Sequence, residues 1–248
     1  MFGIQQAKEQ LEEAGYMILP NVFRPEEIER FRHGVIQAQG RMPSTRENPS
    51  SRHFAGFHRC VELAGLHADL VESAAIAAAL EMVYGDRDFN AIGLSDITIN
   101  RSQQWHTDLL RGPYKRFGVS EVCWQASEPS CYKALLYLQD GERLFVLPGS
   151  HKLGRHTEDA EAEQLALSKA PSKVAVKSGD VVLMDIRLIH RGANQEEINA
   201  VEKSGELKIL ISSVFGADDS EMTRRLKAGN QQRLRDWDQR WKPLILGA

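Results

Sequence analysis

Hydrophobic positions along the chain alternate between two periods. Ala7, Leu11 and Ala14 recur at helical spacing across residues 4–13, and Gly15 is placed to end that run. Tyr16-Met17-Ile18-Leu19 is a short apolar strand halted by Pro20. Pro25 opens a second helix in which Ile28, Phe31 and Val35 share a face; Glu26 and Glu27 suit its N-terminal dipole, and Gly40 stops it. Residues 41–59 are polar, rich in serine with two prolines, and read as one long loop. An Ala-rich helix is expected over 68–84. The period then falls to that of strands: 88–101, 131–139, 142–147, 174–176, 181–184 and 207–215, with Asp140-Gly141 as a hairpin signal and a helix expected over 158–169. Residues 220–241 return to helical spacing, with Met222, Leu226, Leu234, Trp237 and Trp241 on one face. Helices first, short strands with turns in the middle and a closing helix predict a mainly β protein with flanking helices, a sandwich or jelly roll.

The length of 248 residues fits one domain, read as 1–248: helical padding over 1–87, a strand core over 88–216 and the closing helix over 217–248. A net charge of −3 gives no global drive toward nucleic acid or acidic membranes. No apolar run reaches the ~18–20 residues of a membrane helix. The first residues lack a basic stretch followed by an apolar one, and the three cysteines, Cys60, Cys123 and Cys131, have no metal-type spacing; a cytoplasmic protein with reduced thiols is expected. Arg41, Arg46 and Arg52 in the loop, with Arg111, Lys115 and Arg116 further on, are candidates for meeting an anionic substrate, against the plainer reading of solvated charges. The arginines of the closing helix (Arg224, Arg225, Arg233, Arg235, Arg240) read as its wet side, so nucleic-acid binding is not expected.

One segment stands out chemically. In Gln104-Trp105-His106-Thr107-Asp108 an imidazole and a carboxylate sit two residues apart, on one face if the segment is extended. His190 ends another strand-like stretch and is a candidate third ligand. Two histidines and one carboxylate with open positions form the arrangement of non-haem Fe(II) oxygenases. A lone His-x-Asp is more often a surface accident or a structural hydrogen bond, so spacing alone leaves both readings open.

The chain resembles the phytanoyl-CoA dioxygenase family of Fe(II)/2-oxoglutarate oxygenases in four segments in order. These are Leu11 to Pro20 followed by Pro25-Glu26-Glu27-Ile28, Gln104 to Asp108, Phe145 to Gly154 with its Pro-Gly-Ser-His turn, and Gly179-Asp180-Val181-Val182 through His190 to Asn194. The resemblance implies a double-stranded β-helix, a cupin-like jelly roll. It implies Fe(II) held by His106, Asp108 and His190, 2-oxoglutarate as co-substrate, and O2. It also implies hydroxylation of an unactivated C–H bond of a small molecule, with release of succinate and CO2. The carboxylate of Asp108 separates it from related halogenases, and desaturation or ring formation would use the same ligands. His151 belongs by the same likeness to a structural turn. The family usually carries an arginine on the strand after the distal histidine; alignment places Lys208 there, a point charge instead of a fork. Arg191 is the alternative anchor, set on the opposite face by its place beside His190. Gln104 shares the parity of His106 and is a further candidate for facing the co-substrate. A metal-binding module without 2-oxoglutarate, and an oxygenase acting on a protein or nucleic acid, remain as alternatives.

Overall fold

In the computed structural model, which describes residues 2–42 and 50–245, helix α1 (Phe2–Ala14) leads into β1 (Tyr16–Leu19) and α2 (Pro25–Gln39). Strand β2 (Arg52–Ala55), helices α3 (Val61–Val71) and α4 (Ala74–Tyr84) and the long β3 (Phe89–Ile99) follow. After the short α5 (Lys115–Gly118) come β4 (Tyr132–Tyr137), β5 (Gly141–Val146), α6 (Asp159–Ser168), β6 (Ser172–Val176), β7 (Val181–Asp185) and β8 (His190–Arg191). Helix α7 (Gln195–Lys203), β9 (Ile209–Ala217) and α8 (Glu221–Ile245) complete the order. The strands form a six-stranded antiparallel sheet, β1-β7-β4-β9-β3-β2, and a three-stranded sheet, β6-β5-β8, in the jelly-roll arrangement expected from the strand spacing.

Strict alternation explains how the large sheet serves two cores. Ala134, Leu136, Val181, Leu183, Ile209 and Ile211 pack with Ile28, Phe31, Val35, Leu63, Leu70 and Leu80 of the helices. Their neighbours Leu135, Tyr137, Val182, Met184 and Leu210 pack with Leu144, Val146, Val174 and Val176 of the small sheet. Lys133 and Lys208 have the parity of this second, inward set.

Three expectations change. Residues 52–55, inside the supposed loop, pair with the edge of β3, where Phe54 and Ala55 are buried. Four residues are too few to show a period, and Arg52-His53 disguise them. The Ala-rich helix is two helices meeting at 53°, broken at Glu72-Ser73. Helix α7 was not marked by its apolar pattern; its signal is a capping box in which the Asn194 side chain accepts from the Glu197 backbone. Arg46 and the side chains of Arg240 and Trp241 lie outside what the structure describes. Among the described residues no single helix is long and apolar enough to cross a membrane.

The Pro-Gly-Ser-His turn ties the N-terminus to the strand that carries His190. His151 Nε2 donates to the Glu12 carbonyl at 3.1 Å, and Ser150 Oγ accepts from the Ile189 backbone at 2.8 Å. Gly15 makes the junction possible: its φ is +86°, and a Cβ there would lie 2.5 Å from His151 Nδ1 and 2.8 Å from a Leu188 methyl. Gly15→Ala is therefore expected to cost about 2–4 kcal/mol, left-handed strain plus overpacking, measured by urea unfolding.

Candidate metal centre

Strand β3 ends at Asn100, whose φ of +48° turns the chain out of the large sheet. Two bonds hold the turn: the Asn100 backbone donates to the Lys208 carbonyl at 2.9 Å, and Asn100 Oδ1 accepts from the Lys208 backbone at 2.8 Å. The chain then runs without regular structure to His106, which forms one antiparallel bridge with His190. Each donates its backbone N–H to the other's carbonyl at 2.9 Å. This pairing sets two residues distant in sequence side by side, with their imidazole centroids 4.3 Å apart. The Asp108 backbone donates to the Ile186 carbonyl at 2.9 Å, which brings its carboxylate in from the same side.

The side chains of His106, Asp108 and His190 each offer one ligand atom, and these atoms lie within 4.8 Å of one another. His106 Nδ1 donates to the Gln104 carbonyl at 2.6 Å and His190 Nδ1 to the Leu188 carbonyl at 3.0 Å. A carbonyl can only accept, so each Nδ1 carries hydrogen and each ring turns its Nε2, which bears the lone pair in the neutral form, toward Asp108. Those lone pairs stand 3.7 and 3.4 Å from the Asp108 oxygens. Burial first, and the neighbouring His106 second, push the His190 imidazole down to about 3, so it is neutral at ordinary pH. Burial opposes ionisation of Asp108, but the Lys133 ammonium beside it holds the carboxyl well below its usual range. Lys133 Nζ sits 2.9 Å from Asp108 Oδ1, while Oδ2 is buried without a hydrogen bond. Two lone pairs and an orphaned anionic oxygen facing one point repel each other unless a cation lies between them. The donor set, two imidazoles and a carboxylate, fits a divalent iron.

The triad opens on a cavity of about 330 Å³ whose walls include Thr98, Arg101, Gln103, Lys133, Ser212 and, from α8, Arg233 and Trp237. Gln103 lines it, whereas Gln104 is exposed and contributes its carbonyl to His106. Parity placed Gln104 inward, but the segment is not a strand there, so alternation does not apply. Lys208 is 5 % exposed, with Nζ 5.5 Å from the Tyr137 ring centroid and, among the described residues, no carboxylate at ion-pair distance. Burial first, then Arg143 and Arg101, push its amine down to about 8. Arg191 turns away, stacked 3.9 Å from the Phe145 ring and paired with Glu197 at 2.9 Å. Sequence reading passed over Lys133, although a lone charge inside the apolar run of β4 was a visible signal.

On the far wall Arg233 grips Asp96 with bonds of 2.8 and 2.9 Å, and His53 Nε2 donates to the same carboxylate at 3.1 Å. Burial resists ionisation of Asp96, yet Arg233 and His53 hold its carboxyl well below the usual range. The folded form is thus favoured above that range, and the benefit is lost as pH falls below it. Arg233→Met is expected to cost about 3 kcal/mol at pH 7 and to flatten the acid limb of stability, read by urea unfolding at several pH values. Three other basic side chains of α8 are engaged locally: Arg224 and Arg225 with Glu221, at 2.7 and 2.9 Å, and Lys227 with Asp218 at 3.3 Å. The helix presents no free basic stripe over these positions.

A family model described as phytanoyl-CoA dioxygenase (PhyH) matches residues 11–196. No curated protein sequence matches the chain significantly. Among solved structures, HygX from Streptomyces hygroscopicus, with nickel, 2-oxoglutarate and hygromycin B bound, superposes with a TM-score of 0.61 at 18% identity, over 87% of this chain and 88% of its own. AviO1 from Streptomyces viridochromogenes Tue57 gives 0.60 at 20% identity, over 87% and 96%. The non-haem α-ketoglutarate-dependent carbocyclase SnoK of nogalamycin biosynthesis gives 0.65 at 18%, over 87% and 85%. At such identities the likeness establishes a shared fold.

Proposed function

The chain belongs to the phytanoyl-CoA dioxygenase family, and from that premise we propose that it is an Fe(II)- and 2-oxoglutarate-dependent oxygenase of a small molecule, its metal held by His106, Asp108 and His190. The observation that carries this reading is the convergence of the His106 and His190 Nε2 atoms on the Asp108 carboxylate, whose buried Oδ2 has no hydrogen-bond partner among the described residues. The chemistry that iron and 2-oxoglutarate supply when bound is oxidation of an unactivated C–H bond by O2, with succinate and CO2 released. HygX has 2-oxoglutarate and hygromycin B bound, and SnoK is a carbocyclase; hydroxylation is the outcome proposed for this chain.

The chain's own residues divide the remaining work. The carbonyls of Gln104 and Leu188 occupy the Nδ1 of both imidazoles, so Nε2 is the atom each ring offers to a metal. Lys133 neutralises one Asp108 oxygen and leaves the other for the cation. Lys208, a buried ammonium without a counter-ion, offers its charge to the distal carboxylate of 2-oxoglutarate. The cavity walls mix charged and polar side chains with leucines and Trp237, and a concave site of this size suits a small molecule. Anaerobic addition of Fe(II) and then 2-oxoglutarate should produce a visible charge-transfer band. Metal binding without that band would instead mark a module that does not use the co-substrate.

A further inference from the structure

Among the described residues four cations line the cavity in front of the triad, and three are already engaged. Arg233 is gripped by Asp96, Arg111 lies 3.3 Å from Asp159, and Lys133 lies 2.9 Å from Asp108. Arg101 is the exception: half-buried in the same wall, it makes no hydrogen bond or ion pair among the described residues. The acids that act on it, Asp96 and Asp108, do so only through space. A guanidinium cannot escape burial by shedding its proton, so its desolvation stands uncompensated until an anion arrives. Its backbone is not adrift either, because Asn100, the residue before it, is tied by two hydrogen bonds to Lys208.

We propose that Arg101 is the anchor for an anionic group, a carboxylate or phosphate, on the small-molecule substrate, so that the substrate is presented to the triad by its charge. This rests on the oxygenase reading of the cavity. The division of labour follows from placement. Lys208, the residue before β9, is buried and covered beside Tyr137, whereas Arg101 faces the open cavity together with the α8 wall. A planar fork with several donors suits a carboxylate or phosphate oxygen pair. The co-substrate's own distal carboxylate has the same chemistry, and the test must separate the two sources.

The arginine Nε–H signals of 15N-labelled protein, metal-free, are followed during titration with inorganic phosphate and with acetate, for wild type, Arg101→Gln and Arg101→Lys. The Arg101 signal, identified by its loss in Arg101→Gln, is expected to shift saturably with either anion, and Arg101→Lys to bind phosphate detectably. With Zn(II) and 2-oxoglutarate bound, phosphate should still shift the wild-type signal, and Arg101→Gln should change the affinity for 2-oxoglutarate by less than about threefold. No anion response of Arg101 in protein whose spectrum is otherwise folded would overturn the proposal. So would a loss of about tenfold or more in 2-oxoglutarate affinity on Arg101→Gln, which would assign the residue to the co-substrate. Because the first titration needs neither metal nor 2-oxoglutarate, failure of the oxygenase reading would appear separately, as wild type that binds neither.

Discussion

Replacing Asp108 by alanine lowers Fe(II) affinity by at least about 100-fold and removes substrate-linked succinate formation with it. The figure is a lower bound, because changing a group that merely orients a ligand already costs about 10–100-fold, and Asp108 is expected to contact the metal itself. Two neutral imidazoles would remain, correctly turned by their carbonyl partners, but without a charge between them to balance the cation. The same change leaves Lys133, 17 % exposed, without the carboxylate that now faces it. Asp108→Asn is the sharper comparison: it retains the shape and an acceptor oxygen, removes the charge, and should lose nearly as much affinity. Anaerobic competition with a chromophoric chelator reads the affinity, and urea unfolding of the metal-free protein separates a local loss from a global one. Undiminished succinate formation in either variant would reject Asp108 as a required ligand.

The triad was legible because its residues are chemically rare where they stand, a histidine and an aspartate at the end of one strand pattern and a histidine at the end of another. Strand parity across residues 104–108 accounts for only part of their convergence, because this segment has a single bridge, between His106 and His190. His106 and Asp108, anchored by bonds to β8 and to Ile186, do come to one side as parity expects, whereas Gln104, which has no such anchor, is exposed. The large sheet was readable from alternation because both of its faces are covered, each by its own apolar set. The far wall of the cavity was not. Asp96 and Arg233 lie 137 residues apart, each is unremarkable in its own element, and nothing local says that a strand and the last helix share one ion pair. The same is true of Arg101: what marks it is the lack of a partner, visible only once the neighbours are in place.

Lys208→Met should move stability and co-substrate affinity in opposite directions. In the folded protein the amine is pushed down to about 8, mainly by burial, so at pH 7 it is charged and poorly compensated. The sign follows from linkage. Between about pH 8 and the ordinary lysine range the unfolded chain binds the proton and the folded one does not, so this group makes stability rise with pH there; below that window its charge is a standing cost. Methionine has similar length and no charge, and it sits among Tyr137 and Leu210 without that cost, so the metal-free variant should resist urea better than wild type at pH 7. Binding of 2-oxoglutarate should weaken by about 2–5 kcal/mol, roughly 30- to 5,000-fold, because its distal carboxylate would be desolvated against an apolar side chain. Wild-type affinity should itself decline as pH rises above about 8, where free Lys208 loses its proton, and Lys208→Arg should carry that affinity to higher pH. Titration of the anaerobic Fe(II) protein with 2-oxoglutarate at pH 7 and at pH 9, beside urea unfolding of the same variants, tests both directions. A Lys208→Met protein that binds 2-oxoglutarate normally would leave the buried ammonium without a ligand and move the distal anchor to another residue.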